Sequence, residues 1–386
     1  MSRILPPANG PFVPGCSDIM LDYEKNGLFF RLYYPTDAPK DAELHSKKRY
    51  HWIPTDINTL LGYSKVLKIP FYILRLVFWW NGNPLVPVLY GEKVKTIENM
   101  KCLVFSHGLG GHRDIYSKIC YDLASHGFLV ACLEHRDKSC AYTYYYESKE
   151  NVLNDKRTHV EFQHVPFGGD HLKIRKEQIK VRSTECLQLI DTFKKINDGI
   201  VPKNILDDIP ENKNNEFRLK DLVGKIDVDN FTVIGHSFGA ATALATTPKT
   251  PNVKQCIALD PWMYPIKDDN LDQKIDKPLL FINTQTFHIK TNVNAMTKFI
   301  TKDKLEMYTI RQTTHENQTD SPLIVGYWLN IFMKKLDPVE AININNALII
   351  KFLHKYIGLP NNIEKYEEIL TISKKNFEEG LTKAWC

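Results

Sequence analysis

The sequence predicts an α/β protein built on a mostly parallel, doubly wound sheet. Short apolar strand patterns recur along the chain and alternate with helical patterns, which is typical of this class. The strand patterns fall at residues 102–105, 128–133, 231–234, 254–259, 278–283 and 307–311. The clearest helical patterns cover residues 174–195 and 338–356.

The N-terminal region predicts an antiparallel hairpin in front of the parallel strands. Asn26 and Gly27 form a strong turn signal, and β-forming residues flank it at 19–23 and 28–34. With 386 residues and no internal repeat or long linker, the chain is interpreted as one domain over residues 1–386. The polar stretch 202–225 is interpreted as a surface insertion in that domain.

Residues 235–239 read Gly-His-Ser-Phe-Gly and lie between a strand pattern and a run of small residues. This order is typical of a nucleophile elbow, where a serine sits in a tight strand-to-helix turn that only small neighbours permit. Ser237 is therefore the predicted nucleophile. An ordinary helix N-cap is the alternative interpretation of this serine.

An activated serine needs a histidine base and a carboxylate that orients the base, and both follow the serine in this architecture. Three strand patterns come after Ser237, and their ends offer Asp260, no acid, and His315 in turn. Because these ends meet at one edge of a parallel sheet, Asp260 and His315 are the predicted partners.

Simpler interpretations remain for both residues. Asp260 precedes a proline and could only begin a turn, and His315 could be a solvated loop histidine. Two other candidates are weaker: His288 has no acid beside its strand end, and Asp276 lies at the entrance of its strand, on the wrong edge of the sheet.

Acyl transfer also needs two backbone N–H donors for the developing oxyanion. Residues 106–111, Ser-His-Gly-Leu-Gly-Gly, follow the first parallel strand and form a loop of the required kind. The donors are assigned to Leu109 and Phe238. The rival interpretation is a dinucleotide-binding fingerprint, but its third glycine position is Arg113.

Motifs distributed along nearly the whole chain resemble those of the plasma and type II intracellular platelet-activating factor acetylhydrolases. They lie at residues 11–20, 30–35, 105–110 (Phe-Ser-His-Gly-Leu-Gly), 134–139 (Glu-His-Arg-Asp-Lys-Ser), 235–242 and 259–263 (Leu-Asp-Pro-Trp-Met).

The resemblance implies an α/β-hydrolase fold and a calcium-independent phospholipase A2 that removes short or oxidised sn-2 acyl groups from phospholipids. It also implies the roles of Ser237, Asp260 and His315 as catalytic residues and of Leu109 and Phe238 as oxyanion donors. A carboxylesterase or thioesterase acting on another short acyl substrate is the alternative function. A non-catalytic binding protein of the same fold is a second alternative.

Residues 59–80 form the one segment that suggests contact with a membrane surface. Its last ten residues carry a single charge, and the apolar stretch is too short to span a bilayer. A helix here places Tyr72, Arg75 and Trp79 along one face, a mixture suited to lipid headgroups. Together with Phe78 they are the membrane-interface candidates; a buried helix or lid is the alternative.

Charge and cysteine usage bear on partners and location. The formal charge of 50 − 45 = +5 is mild, and no basic stripe with interleaved aromatic residues suggests nucleic acid. Eight cysteines without a C-x-x-C pair, and a beginning without a secretory apolar core, favour the cytoplasm, with peripheral membrane contact. The histidines show no paired ligand spacing, so neither metal nor cofactor is expected.

Overall fold

Ten strands form one sheet at the centre of the computed structural model, which describes residues 4–40, 42, 50–52, 56–166, 168–300, 303–327 and 334–384. In chain order the strands are β1 (Pro14–Met20), β2 (Phe29–Pro35), β3 (Leu89–Tyr90), β4 (Met100–Ser106), β5 (Leu129–Leu133), β6 (Ile226–His236), β7 (Val253–Leu259), β8 (Leu279–Thr284), β9 (Leu305–Ile310) and β10 (Phe377–Glu379).

The order across the sheet is β10-β9-β8-β7-β6-β4-β5-β2-β1-β3. The six strands from β9 to β5 in this order run parallel. Among the described strands of this sheet, β10 pairs antiparallel with β9, and β2 pairs antiparallel with β5 and β1. The predicted fold class is confirmed.

Helices cover both faces of the sheet. They are α1 (Ile57–Leu67), α2 (Phe71–Asn81), α3 (Ser117–Ala124), α4 (Lys149–Leu153), α5 (His171–Asn197), α6 (Phe238–Thr246), α7 (Leu271–Lys274), α8 (Lys290–Thr297), α9 (Ser321–Val325), α10 (Pro338–Ile357) and α11 (Glu364–Ile372). Helices α5, α6 and α8 pack on one face, and α3, α10 and α11 on the other. In β4, Val104 lies in the core on the α5 face of the sheet, and Leu103 and Phe105 lie in the core on the α3 face. Strands covered on both faces read as continuous apolar runs, which is why the sequence shows them clearly.

Smaller elements complete the described chain. Two ribbons pair Tyr50–His51 with Leu85–Val86 and Tyr142–Tyr145 with Thr158–Glu161. Short 3₁₀ helices occur at Ile205–Asp208, Pro210–Asn212, Leu219–Leu222, Thr247–Lys249, Tyr264–Ile266, Gln285–Phe287, His315–Gln318 and Lys374–Asn376. None of the helices described here is both long enough and apolar enough to span a bilayer.

The N-terminal hairpin forms as predicted, but its turn differs. Strands β1 and β2 pair antiparallel, and Leu21 N–H donates to the Leu28 carbonyl at 2.8 Å beyond the last strand pair. The left-handed residue of the connection is Asp22, with φ 66°. Gly27 is needed at this turn because it has no side chain: a Cβ there would lie 2.0 Å from the Leu21 carbonyl oxygen.

The segment 59–80 is divided into two helices. Lys68 ends α1 in the left-handed conformation with φ 55°, and α2 begins after Pro70. A proline disfavours helical backbone at the residue before it, so the break falls where the sequence places Pro70. The insertion 202–225 lies against the sheet, with Phe217 stacked on Tyr34 at a ring-centroid distance of 4.5 Å.

Candidate active site

Ser237 occupies the turn between β6 and α6. Its backbone has φ 57° and ψ −116°, a strained conformation that persists only where the surroundings enforce it. The Ser237 N–H donates to the Leu259 carbonyl at 2.9 Å. A Cβ at Gly235 would lie 2.2 Å from the Gly239 oxygen, and one at Gly239 only 1.9 Å from the Ser106 oxygen. Both glycines are therefore required for this elbow, which presents the serine at the carboxyl edge of the sheet.

Asp260 and His315 follow the ends of β7 and β9, and the structure brings their side chains together. His315 Nδ1 lies 2.7 Å from Asp260 Oδ2. The buried carboxylate also accepts hydrogen bonds from Thr284, one from its N–H at 3.0 Å and one from its hydroxyl. This arrangement keeps the proton of His315 on Nδ1 and leaves Nε2 available as a base.

Two aromatic rings hold His315 in place. The Phe287 ring stacks on it at a centroid distance of 3.9 Å, and the His236 ring lies at 4.4 Å. His236 Nε2 also donates to the His315 carbonyl at 3.1 Å. Because His236 precedes Ser237 directly, this bond ties the base to the elbow. The Ser237 hydroxyl makes no hydrogen bond with the described residues, as is common before substrate binds.

Tyr116 extends this connection to the loop that carries Leu109. The Gly108 N–H donates to the Tyr116 hydroxyl at 2.8 Å, and that hydroxyl donates to His236 Nδ1 at 3.0 Å. Burial, assisted by the nearby His315, holds the pKa of His236 well below its usual value. The ring is neutral, so it can accept at Nδ1 while donating from Nε2.

The backbone N–H of Leu109 lies on the loop after β4, and that of Phe238 lies at the start of α6. The two segments meet beside Ser237. A Cβ on Gly108 would be 3.4 Å from Ser237 Cβ, so the first loop is in contact with the serine. Neither N–H donates to any group in the part of the chain that the structure describes. Both therefore remain available to a substrate oxygen, as an oxyanion site requires.

An apolar cavity of about 500 Å³ lies beside His315, within the usual size range of small-molecule sites. Helices α1 and α2 supply one part of its wall, through Tyr63, Leu67, Leu74, Val77 and Phe78. The remaining wall includes Trp52, Phe287, Pro322, Val325 and Tyr327.

Helix α1 also covers the loop that carries Leu109. A Cβ at Gly110 would meet the Val66 side chain at 2.5 Å, and one at Gly62 would meet the Ala141 carbonyl at the same distance. Helix α1 is thus in direct contact with the loop. The pair α1–α2 has the position of a lid.

The membrane-interface candidates divide between two faces of α2. Tyr72 and Trp79 expose 80% and 75% of their surface, and Arg75 is exposed as well. Phe78 is directed inward: it is half-buried, lines the cavity, and stacks on Trp52 with ring centroids 6.4 Å apart. Trp80, which the sequence analysis did not select, is 80% exposed.

Two groups of described residues bring three possible metal ligands within 4.8 Å, namely His112 with Glu134 and Cys140, and His236 with Asp260 and His315. In the first group, both ring nitrogens of His112 already contact carboxylates, and the Arg113 guanidinium bonds to Glu134. In the second, the ring nitrogens of His236 and Nδ1 of His315 are engaged in the bonds described above. The expectation of no metal stays a prediction.

A strained elbow serine, followed along the chain by a bonded Asp–His pair at the ends of later strands, places this chain among the α/β-hydrolases of the serine esterase type. The sequence profile described as "Platelet-activating factor acetylhydrolase, isoform II" matches residues 1–377. The chain belongs to this family.

Individual proteins agree with that membership. The chain is 36% identical over 386 residues to platelet-activating factor acetylhydrolase of Canis lupus familiaris, covering 98% of this chain and 83% of that protein. It is 33% identical over 381 residues to the enzyme of the same name from Bos taurus, covering 97% and 82%. A solved ferulic acid esterase from Streptomyces cinnamoneus matches 99% of this chain and 100% of its own, with a TM-score of 0.68 at 14% identity, a likeness of fold alone.

Proposed function

We propose that this protein removes short or oxidised acyl groups from the sn-2 position of phospholipids, without calcium. It is a serine hydrolase of the platelet-activating factor acetylhydrolase family, and it acts on phospholipid acyl groups. The observation that carries the catalytic part of this proposal is the 2.7 Å bond between His315 and Asp260 beside the Ser237 elbow; the sn-2 substrate class is proposed from the family to which the chain belongs. A protein that only binds lipid has no need of an oriented base at that place.

The proposed mechanism is two-step acyl transfer. His315 Nε2 takes the proton of Ser237 as Oγ attacks the sn-2 carbonyl, and the N–H groups of Leu109 and Phe238 receive the oxyanion. His315 then donates that proton to the leaving oxygen, and lysophospholipid departs. A water molecule deprotonated by His315 hydrolyses the acyl-Ser237, while Asp260 keeps the histidine oriented in both steps.

The cavity beside His315 is suited to the leaving group. His315 must reach the oxygen that leaves, so the glycerol and its remaining chain lie on the histidine side of the scissile bond. The wall there is mainly apolar and belongs in part to α2. We place the apolar chain of the lysophospholipid in this cavity.

A lipid surface is the proposed place of action. Helix α2 lines the cavity with one face and exposes large apolar side chains on another, so a phospholipid could pass from a bilayer along this helix.

A cytoplasmic location is proposed because the seven cysteines of the described residues are all free and buried. Residues 317–319, Asn-Gln-Thr, match the N-glycosylation sequon, but Asn317 is buried and accepts a hydrogen bond from Thr314 N–H at 2.7 Å, which leaves no room for a glycan.

The test is acyl release from 1-alkyl-2-acetyl-glycerophosphocholine and from its sn-2 palmitoyl counterpart, in calcium-free buffer, with Ser237→Ala prepared in parallel. We expect acetyl release that disappears in the variant and little palmitoyl release. If neither lipid is cleaved, the substrate assignment is wrong, and an esterase panel decides between another short acyl ester and a binder.

A further inference from the structure

A fully buried arginine on α5 contacts both loops that carry the oxyanion donors. Arg182 Nη1 donates at 2.6 Å to the carbonyl of His107, which lies two residues before Leu109 in its loop. The guanidinium carbon also lies 4.6 Å from the centre of the Phe238 ring. One rigid planar group therefore contacts the loop of one donor and the side chain of the residue that carries the other.

A second path leads from the same arginine to the first loop. Arg182 Nη2 donates to the Ser139 hydroxyl at 2.6 Å, and the Ser139 carbonyl accepts from Gly110 N–H at 2.7 Å. Gly110 follows Leu109 directly. The loop is thus held on both sides of Leu109, through His107 before it and Gly110 after it.

The charge of the arginine is balanced within the same network. Asp137 Oδ2 accepts from Arg182 Nε at 3.0 Å, and Asp137 Oδ1 accepts from Ser139 N–H at 3.1 Å. Both charged groups are almost completely withdrawn from solvent. A desolvated ion pair is by itself weak evidence of a stabilising role, and its consequence here is geometric.

The neighbouring histidine stiffens the same loop. Burial, followed by the charge of Arg182, holds the pKa of His107 well below its usual value, so the ring is neutral. Its Nδ1 donates to the Gly108 carbonyl at 2.8 Å, and its Nε2 accepts from His135 N–H at 3.2 Å. These two bonds fix the His107 ring between the Gly108 carbonyl and the His135 N–H.

We propose that Arg182 is a positioning residue for the oxyanion site, fixing the Leu109 N–H relative to that of Phe238. The inference rests on the proposed function, since it concerns how that site stabilises the transition state. Removing one donor of such a site costs about 100- to 1000-fold in kcat, and a displacement of about 1 Å can cost about 100-fold. Substrate binding depends much less on this geometry than the transition state does.

The experiment compares the wild type with Arg182→Lys, which keeps the charge but cannot reproduce the planar fork. Arg218→Lys is the matched control, because Arg218 is a half-buried arginine of the insertion 202–225 whose Nη1 donates to the Asn215 and Phe217 carbonyls. The readouts are kcat and KM on a water-soluble acetyl ester, and Ki of an alkyl trifluoromethyl ketone, which forms an oxyanion on the serine. Thermal unfolding confirms that each variant is folded.

For Arg182→Lys we expect kcat to fall about 100-fold with KM changed less than about threefold, and Ki to rise by the same factor as kcat falls. Arg218→Lys should retain wild-type values. If Arg182→Lys does not fold, Ser139→Ala removes one acceptor of the fork and should lower kcat and weaken the ketone in parallel.

A folded Arg182→Lys, or in its place Ser139→Ala, with wild-type kcat and Ki overturns the inference while the proposed function stands. A wild-type protein without esterase activity, or a Ser237→Ala variant that keeps it, overturns the proposed function and this inference with it.

Discussion

The carbonyl oxygen of His315 accepts a hydrogen bond from His236 Nε2 at 3.1 Å, although the two residues are 79 positions apart. The bond joins the backbone of the proposed base to the residue immediately before the proposed nucleophile. Tyr116 continues the chain to the Gly108 N–H. Base, nucleophile and oxyanion loop are therefore positioned by one buried network.

Replacing His236 by phenylalanine should test that network. His236→Phe keeps an aromatic ring but removes the donor to His315 and the acceptor for Tyr116, leaving buried groups unpaired. We expect kcat to fall by about tenfold or more, since each tenfold corresponds to about 1.4 kcal/mol. His126→Phe is the control, because His126 bonds to Tyr366 far from Ser237 in the fold. Equal kcat in both variants would show that the network has no role in positioning.

Thr284→Val should lower activity through Asp260. The change removes the hydroxyl that donates to the carboxylate but keeps the backbone N–H bond at 3.0 Å. A carboxylate with one donor fewer orients His315 less firmly, so we expect a fall in kcat of about tenfold. Thr309→Val on the next strand is the matched control, since its buried hydroxyl donates to the Gly380 carbonyl instead. An unchanged kcat in a folded Thr284→Val would contradict this role.

The sheet was predictable from the sequence because its central strands are buried on both faces and therefore read as apolar runs. The strand ends likewise indicated Asp260 and His315, which the structure places 2.7 Å apart. Their catalytic roles stay predictions, as does the organisation of residues 1–386 as one domain. The hairpin turn depends on local backbone geometry that periodicity does not contain, whereas Pro70 was a usable sequence signal for the break between α1 and α2.

The supporting residues were not found for a different reason. Thr284 ends a strand that was examined only for an acid, so its polar side chain was a usable signal that was missed. His236 lies inside the elbow motif itself, yet nothing in the sequence joins it to Tyr116, 120 positions earlier. Arg182 is one of several charged residues on a long helix, and only the fold reveals that it is buried.

The elbow glycines should be intolerant of a methyl group. In Gly239→Ala the new Cβ would meet the Ser106 carbonyl at 1.9 Å, and backbone cannot yield as a side chain can. We expect a loss of about 3 kcal/mol or more in the free energy of unfolding, measured by urea denaturation. Gly224→Ala is the control: its φ of 70° is strained for alanine but the space is open, so about 1 kcal/mol is expected. Similar losses for the two variants would contradict the steric explanation.

Glu185 should make the protein less stable as the pH rises through the weakly acidic range. Burial raises the pKa of Glu185 from 4.5 to about 7, and its carboxyl group lies 2.5 Å from His135 Nδ1. The unfolded chain releases this proton near pH 4.5, whereas the folded chain keeps it up to about pH 7. The contribution of Glu185 to the free energy of unfolding should therefore fall by about 3 kcal/mol between these pH values and stay lower above them. Buried histidines such as His107 and His236, whose pKa values are lowered, change stability in the opposite direction over the same range, so the Glu185 contribution is measured as a difference from a variant without this carboxyl group.

Glu185→Gln cannot ionise, so the wild type should lose about 3 kcal/mol of stability relative to this variant between pH 4.5 and 8, measured by urea denaturation. Glu98→Gln, at an exposed side chain, controls for the substitution itself. If Glu185→Gln and the wild type lose stability in parallel across this range, burial does not raise the pKa of Glu185.

Contact with lipid should depend on the exposed face of α2 and not on Phe78. Trp79 and Trp80 expose 75% and 80% of their surface, and burying one such side chain in an apolar phase is worth about 1.5–3 kcal/mol. The double variant Trp79→Asp/Trp80→Asp should therefore co-sediment at least tenfold less with phosphatidylcholine–phosphatidylserine vesicles than the wild type. Changing Phe78 would instead disturb its stacking on Trp52 and the cavity wall, so a change in vesicle binding could not be separated from a change in folding.

The matched control is Ile200→Asp/Ile372→Asp, which adds the same charge at two apolar side chains that are 66% and 71% exposed elsewhere. General repulsion from anionic vesicles would weaken both double variants equally, whereas docking through α2 weakens only the tryptophan pair. Equal partitioning of the two variants, with unchanged thermal unfolding, would show that α2 is a lid that does not enter the lipid surface. A selective loss would mean that phospholipid reaches the cavity beside His315 from the face of the molecule that α2 forms.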